Sequence, residues 1–225
     1  MLTGNFIYAT IPNRKTKKKG AYNMYIYDAI NGRRSIRKYQ DTKVEKETLL
    51  KLASAAITAP SGGNAQPWDF VFVTDANLIK QICNTLEEVH REYFGKGGRK
   101  DNLEGDILEK TVSMYARMAN VPAFVLVCMN IRNQQLHEPH AHWSTTWAHH
   151  SLGAALQNMM LAAVAEGLGT CWLGTPSWKS EKMKDLLNIP RDVELVAVSP
   201  IGVPSESPKA RPRIPVEEVT HFNTW

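Results

Sequence analysis

What this 225-residue chain lacks is a catalytic signature of its own. No G-x-G-x-x-G follows a strand pattern, and there is no Walker lysine loop, no G-x-S-x-G, no H-E-x-x-H and no C-x-x-C. A hydrolytic nucleophile therefore has no evident place. Cysteine is scarce: Cys83, Cys128 and Cys171 are odd in number, far apart and set in apolar segments. That pattern argues for buried thiols in a reducing compartment, not for a disulfide framework, and no zinc spacing occurs. Also missing are internal repeats, low-complexity tracts and an apolar run long enough for a signal-peptide core. The basic cluster "RKTKKKG" follows the weakly apolar beginning of the chain instead of preceding it, the wrong order for a secretion signal. A cytoplasmic protein without a membrane span is the expectation.

What is present fits one sizeable core. Hydrophobic residues make up 43% and charged residues 22%, the balance of a chain that mostly folds. Residues 1–22 read as a flexible basic arm and 23–225 as a single domain. The net charge of +5 favours anionic ligands in general without choosing among them. A nucleic-acid module lacks both a recognised motif and an aromatic-basic stacking array, so no nucleic-acid partner is expected. Five of the seven histidines crowd into "HEPHAHWSTTWAHH". The reading is a polar loop facing solvent or a cleft, with no metal site.

Periodicity supplies the elements. In "DTKVEKETLLKLASAAITAP", Leu49, Leu52, Ala53 and Ala56 share a helical face, Thr42 and Glu45 are placed as a capping box, and Pro60 follows the end. Residues 68–74, 122–129 and 193–201 are β-branched and nearly continuously apolar, as strands covered on both faces are. Helical patterns fill 75–92, 103–118, 149–166 and 178–188, and the Gly-rich 95–102 reads as a loop. The fold class is α+β, a mixed, mostly antiparallel sheet flanked by helices. The segment "SLGAALQNMMLAAVAEG" is apolar nearly all round, which predicts burial on every face and, in so small a chain, a partner subunit that completes it.

Four stretches carry groups suited to a ligand. "RRSIRKY" offers the guanidinium forks of Arg33, Arg34 and Arg37 and the hydroxyl of Ser35, although alone it reads equally as a solvated basic surface. "PSGGNAQPW" places Pro60, Ser61, Asn64 and Gln66 in a turn longer than a helix-to-strand connection needs. "GLGTCWLGTPSW" contains three glycines around a strand-like core, so backbone N–H groups can meet a ligand edge. "SPKARPRIP" alternates Lys209, Arg211 and Arg213 along an extended, proline-stiffened segment, and side chains two apart share a face. With no nucleophile in sight, the chemistry falls to a bound organic cofactor.

These stretches stand in the order of the motifs of the FMN-dependent nitroreductase family, which the chain resembles over about residues 25–222. The resemblance implies an intertwined homodimer with FMN at the subunit interface. By it, Arg33, Arg34, Ser35, Arg37, Lys209 and Arg211 hold the flavin phosphate and nearby atoms. Pro60, Ser61, Asn64 and Gln66 come from the partner chain, and Leu173, Gly174 and Thr175 lie along the flavin edge carrying N5. The implied activity is ping-pong: NADH or NADPH donates hydride to the flavin, and a small planar acceptor such as a nitroaromatic or quinone removes the electrons, with no catalytic side chain required. Two alternatives stand beside it: reductive dehalogenation in one-electron steps, suggested by the Thr175 hydroxyl, and flavin binding without turnover. Many family members carry an acidic residue where this chain has His150 or Ser151, which bears on the local dimer contacts. Residues 83–118 are expected to form the lid, with Tyr93, Phe94 and Tyr115 covering a planar substrate.

Overall fold

The computed structural model describes residues 24–96, 102–131 and 141–225. The basic arm expected over residues 1–22, most of the Gly-rich loop, and His137 and His140 lie outside the described residues. Six helices, α1 (Ile26–Gly32), α2 (Lys46–Ile57), α3 (Ala76–Gly95), α4 (Gly105–Ala116), α5 (Ala141–Ala165) and α6 (Glu181–Leu187), surround four strands. The strands are β1 (Trp68–Val73), β2 (Ala123–Met129), β3 (Gly169–Thr170) and β4 (Glu194–Gly202). Their order in the sheet is β1-β2-β4-β3, antiparallel throughout. The only parallel pairing among the described residues is an isolated bridge between Ser35 and Thr170. The expected α+β layering holds.

The central strand explains the continuous apolar run. Every residue of β2 is buried, and alternate side chains enter different cores because successive Cβ atoms point to opposite faces of a sheet. Ala123, Val125, Val127 and Met129 pack with Leu49 and Leu52 of α2 and with Leu152, Leu156 and Met159 of α5. Phe124, Leu126 and Cys128 pack with Ile79, Ile82 and Leu86 of α3 and with Met118 and Met183. Burying each of these large side chains contributes roughly 1.5–3 kcal/mol, which is why two helical layers are held to one short sheet.

Two local expectations need correction. The capping box at Thr42 and Glu45 does not form: Glu45 is the N-cap of α2 without a side-chain bond to the helix, and its carboxylate pairs with Lys43 Nζ at 3.0 Å. A real cap stands at α3, where Asp75 Oδ1 accepts from Leu78 N at 2.9 Å. The histidine-rich stretch is not all loop, since α5 begins at Ala141, eight residues before the expected start. His149 is thereby fixed on a helix, with Nδ1 on the Thr145 carbonyl at 2.8 Å and Nε2 on Glu194 Oε1 at 3.0 Å. Within one chain, helix α5 keeps an open flank. Ala148, Leu152, Ala155, Met159 and Ala163 are buried, but Gln157 is exposed and Ala154, Asn158, Leu161 and Ala162 are only half-buried. Among the described residues no helix is long and apolar enough to cross a membrane.

Candidate cofactor site

The stretch "RRSIRKY" leaves α1 at Arg33 and runs extended, as a strand laid across the end of the sheet. Ile36 N donates to Thr170 O at 2.9 Å on one side, and Gln40 N donates to Val203 O at 2.9 Å on the other. Ile36 is buried beneath it, and the Tyr39 hydroxyl donates back to Ile36 O at 2.6 Å. Burial raises the Tyr39 pKa, so that phenol stays protonated. Two glycines make the seat. Gly169 and Gly202 face each other in the β3–β4 register. A Cβ on Gly169 would lie 2.6 Å from Ile36 Cγ1, and one on Gly202 would lie 2.8 Å from Pro122 Cδ and 3.0 Å from Tyr39 Cδ1. Gly169 thereby admits the cationic strand.

Seating that strand against the chain after β4 gathers the charges. Arg33, Arg34, Ser35, Arg37, Lys209 and Arg211 line one cleft of about 490 Å³. Several cations elsewhere are matched: Arg91 pairs with Glu87 and Glu109, Lys179 with Glu92, Lys182 with Glu88, and Arg191 with Glu181 and Asp185. No described carboxylate pairs with the side chain of Arg33, Arg34, Arg37, Lys209 or Arg211. Backbone carbonyls hold two of them in place. Arg34 Nη1 donates to Asn31 O at 2.6 Å and Arg33 O at 2.8 Å, and Arg37 Nη1 donates to Ser35 O at 3.2 Å. Arg213 lines the same cleft, and these six converging cations without a described carboxylate partner form a site for a multiply charged anion. Beneath them the Ser35 hydroxyl hydrogen-bonds the Cys171 thiol. Burial raises the pKa of that thiol against the opposing pull of Arg37 and Arg33, so it is no nucleophile.

The second predicted group lies apart. Pro60, Ser61 and Gly62 line a separate cleft of about 410 Å³ with Trp147, His150, Ser151 and Ala154. It shares no residue with the cationic one. The turn itself is built: Ser61 Oγ accepts from Gln66 N at 3.1 Å, and Gln66 Nε2 donates to Asn64 O at 3.3 Å. Asn64 at φ 56° and Gln66 at φ 50° both hold left-handed backbone, uncommon away from glycine and found where a site demands it. Their side chains are exposed. Within one chain, then, the cations and the polar turn do not meet.

The third group divides. Leu173 is buried in the core, its N–H donating to Val198 O at 2.9 Å and its carbonyl accepting from Val198 N at 3.0 Å. Side chain and backbone are both committed within the chain, so Leu173 fixes the turn that carries Gly174 and Thr175. Gly174 and Thr175 follow, opening a 3-10 turn over Thr175–Lys179. That turn is clamped to α3: Trp178 meets Tyr93 edge to face at 5.8 Å, Lys179 pairs with Glu92, and Lys182 pairs with Glu88. Tyr115 cannot cover a substrate, since it is 2% exposed and stacks on the buried His90 at 3.9 Å. His90 Nδ1–H donates to Leu86 O at 2.7 Å. Burial pushes the His90 pKa down to about 4, against the raising effect of that bond.

The order and placement of these groups find their counterpart among known proteins, where the profile of the nitroreductase family matches residues 30–203. The chain belongs to the nitroreductase family. It is a nitroreductase-family oxidoreductase, and its relatives span the whole fold. A Methanothermobacter thermautotrophicus protein named as a candidate NADH dehydrogenase/NAD(P)H nitroreductase is 29% identical over 204 residues, 90% of this chain and 88% of the relative. The iodotyrosine deiodinase of Thermotoga neapolitana is 27% identical over 204 residues, 89% of this chain and 98% of that protein. Among solved structures, a BluB-like flavoprotein from Clostridium difficile superposes with a TM-score of 0.72 at 26% identity, covering 89% of this chain and 100% of the flavoprotein. Within this nitroreductase fold, sequence reasoning missed Glu206 and the seating role of Gly169 and Gly202. A lone acid among cations carries no spacing signal, and a glycine's neighbours are set only by tertiary packing.

Proposed function

We propose that this nitroreductase-family enzyme binds FMN and passes reducing equivalents from NADH or NADPH to a small, planar, electron-poor acceptor such as a nitroaromatic or quinone. The observation that carries the reading is the set of six cations, Arg33, Arg34, Arg37, Lys209, Arg211 and Arg213, around one cleft without a described carboxylate partner. Such a donor set fits a phosphate dianion. The flavin, when bound, supplies hydride acceptance and release at its N5. The chain's own part is to hold the phosphate with these cations and Ser35, and to set the Gly174–Thr175 turn along the ring edge by clamping it to α3 and to Val198. No side chain is needed as an acid, base or nucleophile.

In this reading the molecule works as a homodimer, with Pro60, Ser61, Asn64 and Gln66 of each protomer meeting the flavin held by the cations of the other. Three features support it: the two clefts are separate within one chain, α5 keeps one flank half-open, and the C-terminal segment turns Ile214, Val216, Val219, Phe222 and Trp225 into solvent. Residues 1–22 are then an appended arm on one domain over 23–225, in a cytoplasmic protein that binds no nucleic acid. Reductive dehalogenation is a second reading, favoured by Thr175 at the start of the 3-10 turn and by the likeness to a deiodinase. Purification is the test. A yellow protein that releases FMN on denaturation and oxidises NAD(P)H with a nitroaromatic or quinone supports the first reading, and halide release from a halogenated phenol selects the second. Flavin binding without any turnover would leave a carrier, and a colourless protein that cannot be reconstituted would refute the proposal.

A further inference from the structure

One acid stands beside the six unpaired cations. Glu206 is half-buried on the segment between β4 and Lys209, and its carboxylate makes no ion pair with a described side chain. Instead, Glu206 Oε1 accepts from two successive backbone N–H groups of the cationic strand, Arg37 N at 2.6 Å and Lys38 N at 3.2 Å. The neighbouring bonds explain why. Gln40 N donates to Val203 O and Ser205 N donates to Lys38 O, a short antiparallel ladder between the two segments. Continued, that ladder would bring Lys38 N to Ser205 O, but Lys38 N donates to the Glu206 carboxylate instead. The carboxylate takes over where the ladder stops. It lies toward the groove it lines with Arg34, Ser207 and Pro208, not among the residues lining the cationic cleft.

We propose that Glu206 is a positioning residue of the anion cradle: it ties the strand carrying Arg37 to the segment carrying Lys209 and Arg211, and so sets how closely the two cationic sets converge. The inference rests on the reading of that cleft as the flavin phosphate site. It predicts two opposing effects of one side chain. As a clip, Glu206 holds the cations at the spacing the anion needs; as a charge, it repels the same anion through partly screened surroundings. Glutamine keeps an acceptor for both N–H groups and removes the charge, whereas alanine removes both.

The test separates phosphate binding from ring binding. Apoprotein of the native chain, of Glu206→Gln and of Glu206→Ala is titrated with FMN and with riboflavin, and the ratio of the two dissociation constants gives the gain due to the phosphate alone. Glu206→Gln should raise that gain by about threefold, the order expected from removing one screened charge. Glu206→Ala should lower it by about tenfold, as loosened binding groups do. Thermal melts of the flavin-free proteins check folding, and the glutamine variant keeps the test decisive if the alanine variant unfolds. A Glu206→Ala protein with the native gain or more would overturn the clip, as would a Glu206→Gln protein with a smaller gain than the native chain. A native chain that binds FMN no better than riboflavin would refute the phosphate reading itself, and this inference with it.

Discussion

At the scale of single residues, the cationic cleft and the buried His90 are two places where charge decides behaviour. Arg37 and Arg211 line the cationic cleft from opposite segments and have no carboxylate to release. Charge reversal at either, Arg37→Glu or Arg211→Glu, should weaken FMN binding by on the order of 100-fold while leaving the melting temperature of the flavin-free protein within a few degrees, because neither side chain is buried in the core or ion-paired. Equilibrium dialysis beside a thermal melt checks both halves. His90 gives a stability effect with a definite sign. Its folded pKa, pushed down by burial to about 4, lies below the ordinary value near 6.5, so between those values the unfolded chain binds a proton that the folded chain refuses. Stability therefore falls as pH drops through that window, by roughly 3 kcal/mol at full effect. A His90→Phe variant, which keeps the stack on Tyr115, should flatten that part of the stability curve measured by denaturant titration from pH 7 to pH 4.

At the scale of elements, the seat of the cationic strand is the sensitive joint. Gly169 and Gly202 have no room for a methyl group, and the atoms they would strike belong to Ile36, Tyr39 and two prolines, Pro122 and Pro204, which have little freedom to move. Gly169→Ala should cost about 1–3 kcal/mol by overpacking and should weaken flavin binding as well, because the strand that moves carries Arg33 and Arg37. An Asp75→Ala change makes the contrast. Loss of the α3 cap costs about 1 kcal/mol but leaves the cleft untouched, so a melt should shift while flavin affinity stays. Most elements were legible because apolar spacing reports them directly, and β1, β2 and β4 begin and end within a residue of their expected bounds. The start of α5 was not, since "WSTTWAHH" has few aliphatic side chains, and its helical state comes from continuing a helix that packs well further on. Tyr115 was read as a lid residue because an aromatic near a glycine-rich loop has the same signature whether it faces outward or, as here, stacks on a buried histidine.

At the scale of the whole molecule, the open flank of α5, the separate polar turn and the exposed apolar C-terminal segment belong to one expectation. Analytical ultracentrifugation at low micromolar concentration should give a dimer, and deletion of residues 212–225 should shift it toward monomer with loss of bound flavin, since interfaces of this kind are large and apolar. Sequence by itself determined the α+β layering and the cation-rich stretches, because periodicity and charge are local properties that survive without coordinates. Tertiary structure alone decided that Arg33 to Arg37 and Lys209 to Arg211 share a cleft. It also turned Leu173 inward, made Gly169 and Gly202 a seat, and gave Glu206 two backbone amides to hold. Those facts depend on which segments the sheet brings side by side, and contacts between residues some 170 positions apart leave no trace in the spacing of either one.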